Sequence, residues 1–380
     1  MSAQLTGVGL TAFGRQPGPD SVQWQTTAAE LALADAAVEA TEVDAVITGY
    51  STVAPHLMPA NVFSERFGIR PSIAFGMNAG GATGLAMLAQ AVRLVESGAA
   101  RHVLVVAGEN RASGQSRETS TRVLAQVGHP DYEVPLGANI PAYYALLASR
   151  YLWTHGLGPE SLAELPVQMR AHAARRLGAQ FQKPITVADV LASKPIAEPL
   201  RLLDCCPVSD GGAAFVVSRA ATSDRSLTVA GTGQAHRHQH LSALEPGRTG
   251  AAMAAQRALA EAGVTWDDVD VYGIYDSFSI TLALLVEELG LVPAGRAGAY
   301  VRAGAFEVDG RFPTNTHGGL LSYGHCGVGG GMAHLAEVAA QLRSERGASQ
   351  VASCDVGYVH ADGGVLSAHV GVVLRRGGDR

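Results

Sequence analysis

The chain is poor in charge, and above all in lysine. Charged residues make up 16% of its 380 positions, and the formal net charge is −6 at neutral pH. Such a composition lacks the concentrated positive charge with which proteins bind nucleic acid. Lys183 and Lys194 are the only lysines in the sequence, and both lie outside the motifs described below. A mechanism that depends on a lysine Schiff base is therefore disfavoured.

Cysteine is also scarce, and its positions form no recognisable metal or disulfide pattern. The four cysteines are Cys205, Cys206, Cys326 and Cys354. Two of them are adjacent, and no Cys-x-x-Cys or Cys/His ligand spacing occurs, which predicts reduced thiols, a cytoplasmic protein and no bound metal. No apolar run reaches membrane-spanning length without polar interruption. The first residues show neither the basic nor the apolar segment of a signal peptide.

Small and apolar residues are abundant, and their patterns repeat along the chain. Hydrophobic residues make up 47% of the sequence, and there are 45 glycines, as expected for helices packed tightly on a sheet. Three matched strand and helix patterns recur in the same order, offset by about 220 to 250 residues. The pairs are residues 5–12 with 227–234, the helices 27–40 with 251–262, and the glycine-opened helices that begin near 80–84 and 327–331. Each of these last helices leads to a predicted strand, at 102–106 and at 350–353.

This repetition predicts an α/β protein built from two halves. We expect a first half at residues 1–111 and a second at residues 224–380. Residues 112–223 form an inserted region that covers the site and then returns to the first half. Strand–helix alternation is common in α/β proteins, so a chain without internal duplication is the alternative.

Four motifs with chemically useful residues stand where predicted strands end. Ligands of open α/β sheets bind at the carboxyl ends of strands. The motifs are Gly80-Gly81-Ala82-Thr83, Tyr275-Asp276-Ser277-Phe278, Tyr323-Gly324-His325-Cys326 and His360-Ala361-Asp362. We take Tyr275, His325, His360 and Tyr323 as candidate catalytic residues. Gly80, Gly81, Asp276 and Cys326 are the candidate substrate and oxyanion loop residues.

These motifs resemble the four catalytic loops of the thiolase superfamily. The whole chain is similar to the sterol-carrier-protein-x thiolases and, among them, to the lipid-transfer-protein-type aldolases of steroid side-chain degradation. The first loop of a thiolase carries a nucleophilic cysteine where this chain has Gly81. Tyr275 replaces the histidine of the second loop, His325 retains the histidine of the third, and His360 replaces the acid/base cysteine of the fourth. The resemblance implies duplicated βαβαβ halves that form a five-layered α-β-α-β-α core.

Without a thiol at position 81, no acyl-enzyme can form there, and retro-aldol cleavage becomes the leading interpretation. Such cleavage needs a base, an enolate stabiliser and an acid. His325 is expected to stabilise the enolate, while Tyr275 and His360, with Tyr323 nearby, take the base and acid roles in an order that the sequence leaves open. The resemblance implies that Tyr275 is catalytic. Each of these side chains also has a plain alternative role in packing or hydrogen bonding.

The predicted substrate is a β-hydroxyacyl-CoA of steroid side-chain type, cleaved to a ketone and a shorter acyl-CoA. No cofactor is expected beyond the CoA that the substrate carries. The resemblance further implies a homodimer, joined through the strand that bears the first loop, and a small OB-fold partner of the DUF35 type. Two other functions remain open: an acyltransferase with a relocated nucleophile such as Cys326, and a non-catalytic lipid-binding subunit.

Overall fold

The computed structural model describes residues 3–245 and 247–377, which form eleven strands and twelve α-helices. The first part contains β1 (Gln4–Leu10), α1 (Ser21–Ala36), β2 (Ala45–Gly49), α2 (Pro59–Phe67), β3 (Ile73–Met77), α3 (Thr83–Glu96) and β4 (His102–Asn110). The middle contains α4 (Arg117–Ala125), α5 (Ile140–His155), α6 (Glu160–Ala173), α7 (Val187–Ala192), β5 (Pro195–Ala197), β6 (Leu200–Arg201) and β7 (Asp210–Ser218). The last part contains β8 (Leu227–His236), α8 (Ala251–Ala262), β9 (Val271–Ile274), α9 (Ser279–Glu288), α10 (Ala297–Arg302), α11 (Gly319–Ser322), α12 (Val328–Leu342), β10 (Val356–Gly363) and β11 (Ala368–Arg376).

Nine strands form one mixed sheet whose order repeats about its middle. The order is β3-β2-β4-β7-β1-β8-β11-β10-β9. β2 runs parallel to β3 and β4, β9 runs parallel to β10, and the remaining neighbours are antiparallel. β1 and β8 join the halves through short antiparallel pairing at Gln4 and Leu5. The series β2, β4, β7, β1 is thus matched by β9, β10, β11, β8. The repeated pattern at residues 5–12 and 227–234 corresponds to the pair β1 and β8.

The helices arrange these strands into five layers. α1 packs on β1, β4 and β7 of the first half, and α8 packs on β8 and β11 of the second. α3 and α12 each contact strands of both halves, so they form a layer between them. Every residue of α12 is buried, and most of its side chains are apolar or small. The expected α-β-α-β-α architecture is confirmed.

Two segments differ from the sequence prediction. Residues 350–353 form a turn and not a strand, and β10 begins only at Val356. The Gln341 side chain explains the turn: its Nε2 donates to the Ser349 carbonyl at 2.8 Å, and its Oε1 accepts the Val351 N–H at 2.9 Å. These bonds occupy backbone groups that a strand would pair. The first helix begins at Ser21 and not at residue 27, because Asp20 caps it in a reciprocal capping box.

No helix in the described part of the chain combines the length and the apolar character needed to cross a membrane.

Candidate active site

The turn between β3 and α3 holds Gly80 and Gly81. Gly80 has φ +59°, and a Cβ there would lie 2.7 Å from the Gly364 amide nitrogen, so the position requires glycine. Thr83 closes the turn from the first residue of α3. Its hydroxyl donates to the Gly80 carbonyl at 2.6 Å and accepts the Ala79 N–H at 2.8 Å. The first motif is therefore a rigid turn that opens onto the central layer.

The space beside Gly81 is occupied by Tyr275. A Cβ added to Gly81 would overlap the Tyr275 hydroxyl oxygen and the Asp362 carbonyl oxygen. Tyr275 follows β9 directly and is buried. Any side chain at position 81 and the present position of Tyr275 thus exclude each other.

Tyr275 and His325 form a hydrogen-bonded pair whose direction can be assigned. The hydroxyl oxygen of Tyr275 lies 3.0 Å from Nε2 of His325. Nδ1 of His325 accepts the Gly327 N–H at 3.1 Å, so the proton of a neutral imidazole sits on Nε2. Nε2 therefore donates to the phenol oxygen, and the phenol proton is free to point at a substrate atom. Ser209 Oγ holds the loop by accepting the His325 backbone N–H at 2.9 Å.

Burial keeps both members of this pair uncharged. The pKa of His325 is lowered to about 3, chiefly by burial and then by the positive charge of Arg111. The pKa of Tyr275 is raised well above its ordinary value, again chiefly by burial and then by Cys206 and Asp362. At neutral pH the pair therefore consists of a neutral imidazole and a protonated phenol.

Asp276 anchors the loop that precedes His325. Its carboxylate accepts the backbone N–H groups of Leu320 at 2.7 Å and Leu321 at 3.3 Å. Nε2 of His334 lies 3.2 Å from the same carboxylate. The His334 ring packs edge-on against Tyr275 with centroids 6.2 Å apart. Asp276 thus positions α11 and, through His334, the tyrosine ring.

Two predicted residues of the third loop belong to a separate apolar cluster with Phe13. The Tyr323 hydroxyl donates to the Thr11 carbonyl at 3.3 Å, and its ring packs edge-on against Phe13 with centroids 5.0 Å apart. Cys326 is fully buried, and burial raises the pKa of its thiol. A buried, protonated thiol is a poor nucleophile. Neither side chain takes part in the Tyr275–His325 pair.

The structure does not bring His360 to the pair. His360 lies within β10 and not after it, and a Cβ on Gly357 would overlap Val338 of α12. Side chains alternate along a strand, so His360 points away from the central layer. Its imidazole instead bonds Tyr358 at 2.8 Å and His369 at 3.1 Å. Only its backbone carbonyl meets the site, by accepting the Tyr275 N–H at 3.0 Å.

Three side chains around the pair were missed in the sequence. Arg111 follows β4 directly, so the strand-end rule that selected the four motifs would also have found it. Ser209 and His334 carry no local signal, because their contacts to the pair come from distant parts of the chain. Within residues 3–245 and 247–377, no group of three or more His, Cys, Asp or Glu side chains is arranged to hold a metal ion.

Two family models divide the chain between them. The model "Thiolase, N-terminal domain" matches residues 7–221, and the model "Thiolase C-terminal domain-like" matches residues 233–376. The chain belongs to the thiolase superfamily. Both matches fall on the two halves that the sheet order relates to each other.

The relatives of this thiolase-superfamily chain include both an acetyltransferase and lyases. It is 30% identical to an acetyl-CoA acetyltransferase of Methanothermobacter thermautotrophicus, over 96% of this chain and 98% of that protein. It is 32% identical to a 17-hydroxy-3-oxo-4-pregnene-20-carboxyl-CoA lyase of Mycobacterium tuberculosis, over 90% of this chain and 91% of that protein. A solved structure, described as an Ltp2-ChsH2(DUF35) aldolase, superposes with a TM-score of 0.85 at 29% identity, covering 99% of this chain and 98% of that one.

Proposed function

We propose that this chain is a carbon–carbon lyase that cleaves a β-hydroxyacyl-CoA thioester by retro-aldol chemistry. The observation that carries the proposal is the Tyr275 hydroxyl, which fills the space beside Gly81 and is bonded to His325. A thiolase nucleophile has no place there, whereas a proton-transfer group does. The similarity to a steroid-CoA lyase and to an aldolase structure supports this reaction class.

In the proposed reaction Tyr275 relays a proton. The β-hydroxyl proton of the substrate passes to the phenol oxygen as the bond between the α and β carbons breaks and the ketone forms. The electron pair of that bond moves into the thioester as an enolate, and the phenol gives its own proton to the α carbon. In this proposal His325 fixes the phenol and polarises it by donating from Nε2, and does not stabilise the enolate as the sequence suggested. The relay needs no ionised tyrosine, in agreement with the raised pKa of Tyr275.

The central test replaces Tyr275 by Phe. We expect kcat to fall by about 100-fold or more, since a positioned proton-transfer group contributes that much. The probe is 17-hydroxy-3-oxo-4-pregnene-20-carboxyl-CoA, the thioester after which the lyase relative is named. The readout is release of the ketone. Tyr323→Phe is the matched control and should retain turnover. Unchanged turnover in Tyr275→Phe would contradict the proposed role.

An acyltransferase is the second candidate, favoured by the similarity to an acetyl-CoA acetyltransferase. It would need a nucleophile other than residue 81. Burial raises the pKa of both Cys206, to about 12, and Cys326, which disfavours a thiolate at either position. Incubation with labelled acetyl-CoA followed by intact-mass analysis separates the candidates, because an acyl adduct would support the transferase and exclude the lyase.

The partners of this reaction are also proposals. The name of the aldolase structure includes DUF35, and we propose a DUF35-type OB-fold partner for this chain. We further propose a homodimer and a substrate with a steroid-like acyl group, with CoA as part of the substrate and no separate cofactor. The cytoplasmic location stays a prediction from the sequence. Co-expression and co-purification with a DUF35 protein, followed by turnover with and without it, test the partner.

A further inference from the structure

Arg111 is a buried cation with an unsatisfied donor. It follows β4 directly, opposite the start of β7, where Asn110 pairs with Asp210. Its exposed fraction is 8%, and among the described residues its Nε has no hydrogen-bond partner. The ion pairs within 4 Å found in that part of the chain do not include Arg111. A guanidinium in this state is costly to bury.

The nearest acidic residue along the chain is committed elsewhere. Oε2 of Glu109 accepts hydrogen bonds from the backbone N–H groups of Thr52 at 2.7 Å and Val53 at 3.2 Å, and from the hydroxyls of Ser51 and Thr52. Its other oxygen has no partner among the described residues and faces Gly327. Glu109 thus holds the loop at residues 51–53. Among the described residues it forms no hydrogen-bonded ion pair with Arg111, although the positive charge of Arg111 lowers the pKa of Glu109 against the larger opposing effect of burial.

Arg111 lies against the loop that carries His325. A Cβ on Gly327 would lie 3.5 Å from Cδ of Arg111, and the Gly327 N–H is the group that donates to His325. The positive charge of Arg111 lowers the pKa of Tyr275 and of Cys206, in both cases against the larger opposing effect of burial. The guanidinium is therefore the cation of the candidate site, beside an uncharged Tyr275–His325 pair.

We infer that Arg111 binds and stabilises the oxyanion that develops on the thioester oxygen when the carbon–carbon bond breaks. The inference rests on the proposed lyase function and adds the positive charge that the reaction needs. As the electron pair of the broken bond enters the thioester, its oxygen becomes an enolate anion. Arg111 donates hydrogen bonds to that oxygen and keeps its own protons, since guanidinium does not deprotonate in proteins. The α carbon then takes its proton from Tyr275.

The test measures turnover and binding separately in Arg111→Gln. With the steroid-CoA probe named above, we expect kcat to fall by about 100-fold, the loss typical of a missing oxyanion donor. The dissociation constant of propionyl-CoA, which does not react, should change by less than about twofold, because the interaction arises only in the transition state. Arg219→Gln is the matched control: Arg219 is exposed and follows the far end of β7, about 30 Å away at ~3.3 Å per strand residue.

Chemical rescue separates catalysis from folding. Arg111→Ala should regain turnover when millimolar guanidinium is added, and urea, a neutral molecule of the same shape, should give no rescue. Normal kcat in Arg111→Gln, with the wild-type enzyme active, would overturn the inference and leave the lyase function standing. Lost propionyl-CoA binding with unchanged kcat would also overturn it, because Arg111 would then hold a charge of the coenzyme. If the wild-type enzyme binds propionyl-CoA yet cleaves no β-hydroxyacyl-CoA, the lyase function fails and the inference fails with it.

Discussion

At the scale of single residues, Gly81 and Tyr275 have to be understood together. The hydroxyl of Tyr275 lies where the first atom of a side chain at position 81 would be. Gly81→Cys alone would collide with the tyrosine, and Tyr275→His alone would leave position 81 without a thiol. The overlap explains why glycine at position 81 and tyrosine at position 275 occur together in this chain.

This coupling predicts a non-additive double mutant. Gly81→Ala should destabilise the protein by about 1 to 3 kcal/mol, as overpacking of a filled interior does. In a Tyr275→Ala background the same change should cost at least about 1 kcal/mol less, because the tyrosine ring no longer opposes the methyl group. The contact with the Asp362 carbonyl oxygen remains, so the cost does not vanish. Urea unfolding of the four proteins measures the coupling, and additive effects would contradict the steric argument.

The Tyr275–His325 pair also predicts the pH dependence of the proposed chemical step. The pKa of His325 lies at about 3 and that of Tyr275 lies well above its ordinary value. Neither group changes charge between roughly pH 5 and 9, so single-turnover cleavage should be flat there. The measurement is the rate of ketone release under saturating enzyme. A change in this rate with an apparent pKa of about 6 to 8, present in the wild type and absent in His325→Asn, would contradict the prediction. It would show that the imidazole titrates during catalysis.

The structure brings the predicted residues Tyr275 and His325 together but not His360, for a physical reason. The first two stand in turns, where the motif itself fixes their position at the edge of the site. His360 lies inside a strand, where successive side chains point to opposite faces of the sheet. An error of one residue in the predicted position therefore places its side chain on the wrong face. Only the contacts of Gly357 and Gly273 with α12 show which face that is. The position of Arg111 directly after β4 was a signal in the sequence, but its unpaired Nε is visible only in the folded chain.

At the scale of elements, β10 and β11 are joined by a directed chain of side-chain hydrogen bonds. His369 donates from Nε2 to the Leu366 carbonyl at 3.0 Å, so its Nδ1 accepts from His360. Nδ1 of His360 then accepts from the Tyr358 hydroxyl. Both imidazoles are neutral: burial lowers the pKa of His369 to about 4 and that of His360 well below its ordinary value. The chain is complete only when neither histidine is protonated.

His360→Gln should therefore affect stability more than catalysis. Breaking a buried chain leaves unpaired groups that each cost about 1 to 3 kcal/mol. The loss of stability in the variant should be largest at neutral pH. Below pH 6.5, His360 is protonated in the unfolded wild-type chain but stays neutral in the folded one, because burial lowers its pKa. The free energy of unfolding of the wild type therefore decreases as the pH is lowered below 6.5. The difference in unfolding free energy between the wild type and the variant should then shrink by about 1.4 kcal/mol per pH unit.

Urea unfolding at several pH values, together with kcat of the folded variant, checks this prediction. Tyr358→Phe is a milder variant that removes one donor of the same chain. It should lower stability and leave both histidines to titrate as in the wild type. A folded His360→Gln protein that has lost turnover would return His360 to the list of catalytic groups.

At the scale of the whole molecule, the repeated sequence pattern predicts two similar halves and the resemblance to thiolases implies five layers, but neither predicts the continuity of the sheet. The alternation of strands and helices is what relates the two halves. The pairing of β1 with β8 rests on a few residues, Gln4 and Leu5 on one side and Leu227 and Thr228 on the other. Nothing in their composition distinguishes them from other edge residues, so only the folded chain reveals the junction.

The same architecture leaves β3 at one end of the sheet, where it pairs with β2 alone. Next to it, Leu57 is fully exposed and Met58 is largely exposed, and the adjoining Pro59 packs on Gly76 of β3. An open edge beside exposed apolar side chains is a surface that another chain can cover. β3 also leads directly into the Gly80–Gly81 turn, so a second copy bound here would buttress the site.

We therefore expect the protein to sediment as a dimer at about 10 µM, in the concentration range where interfaces of standard size persist. Replacing Leu57 and Met58 together by Glu should give monomers, because the added charges would be buried without partners. Met253→Glu is the control, since Met253 is exposed on α8 in the outer layer and the change in charge is of the same kind. Analytical ultracentrifugation decides between the outcomes. A monomeric wild type would contradict the dimer, and a dimer that persists with both glutamates would place the interface elsewhere. If the dimer dissociates and turnover falls with it, the turn at Gly80 depends on the partner copy for its rigidity.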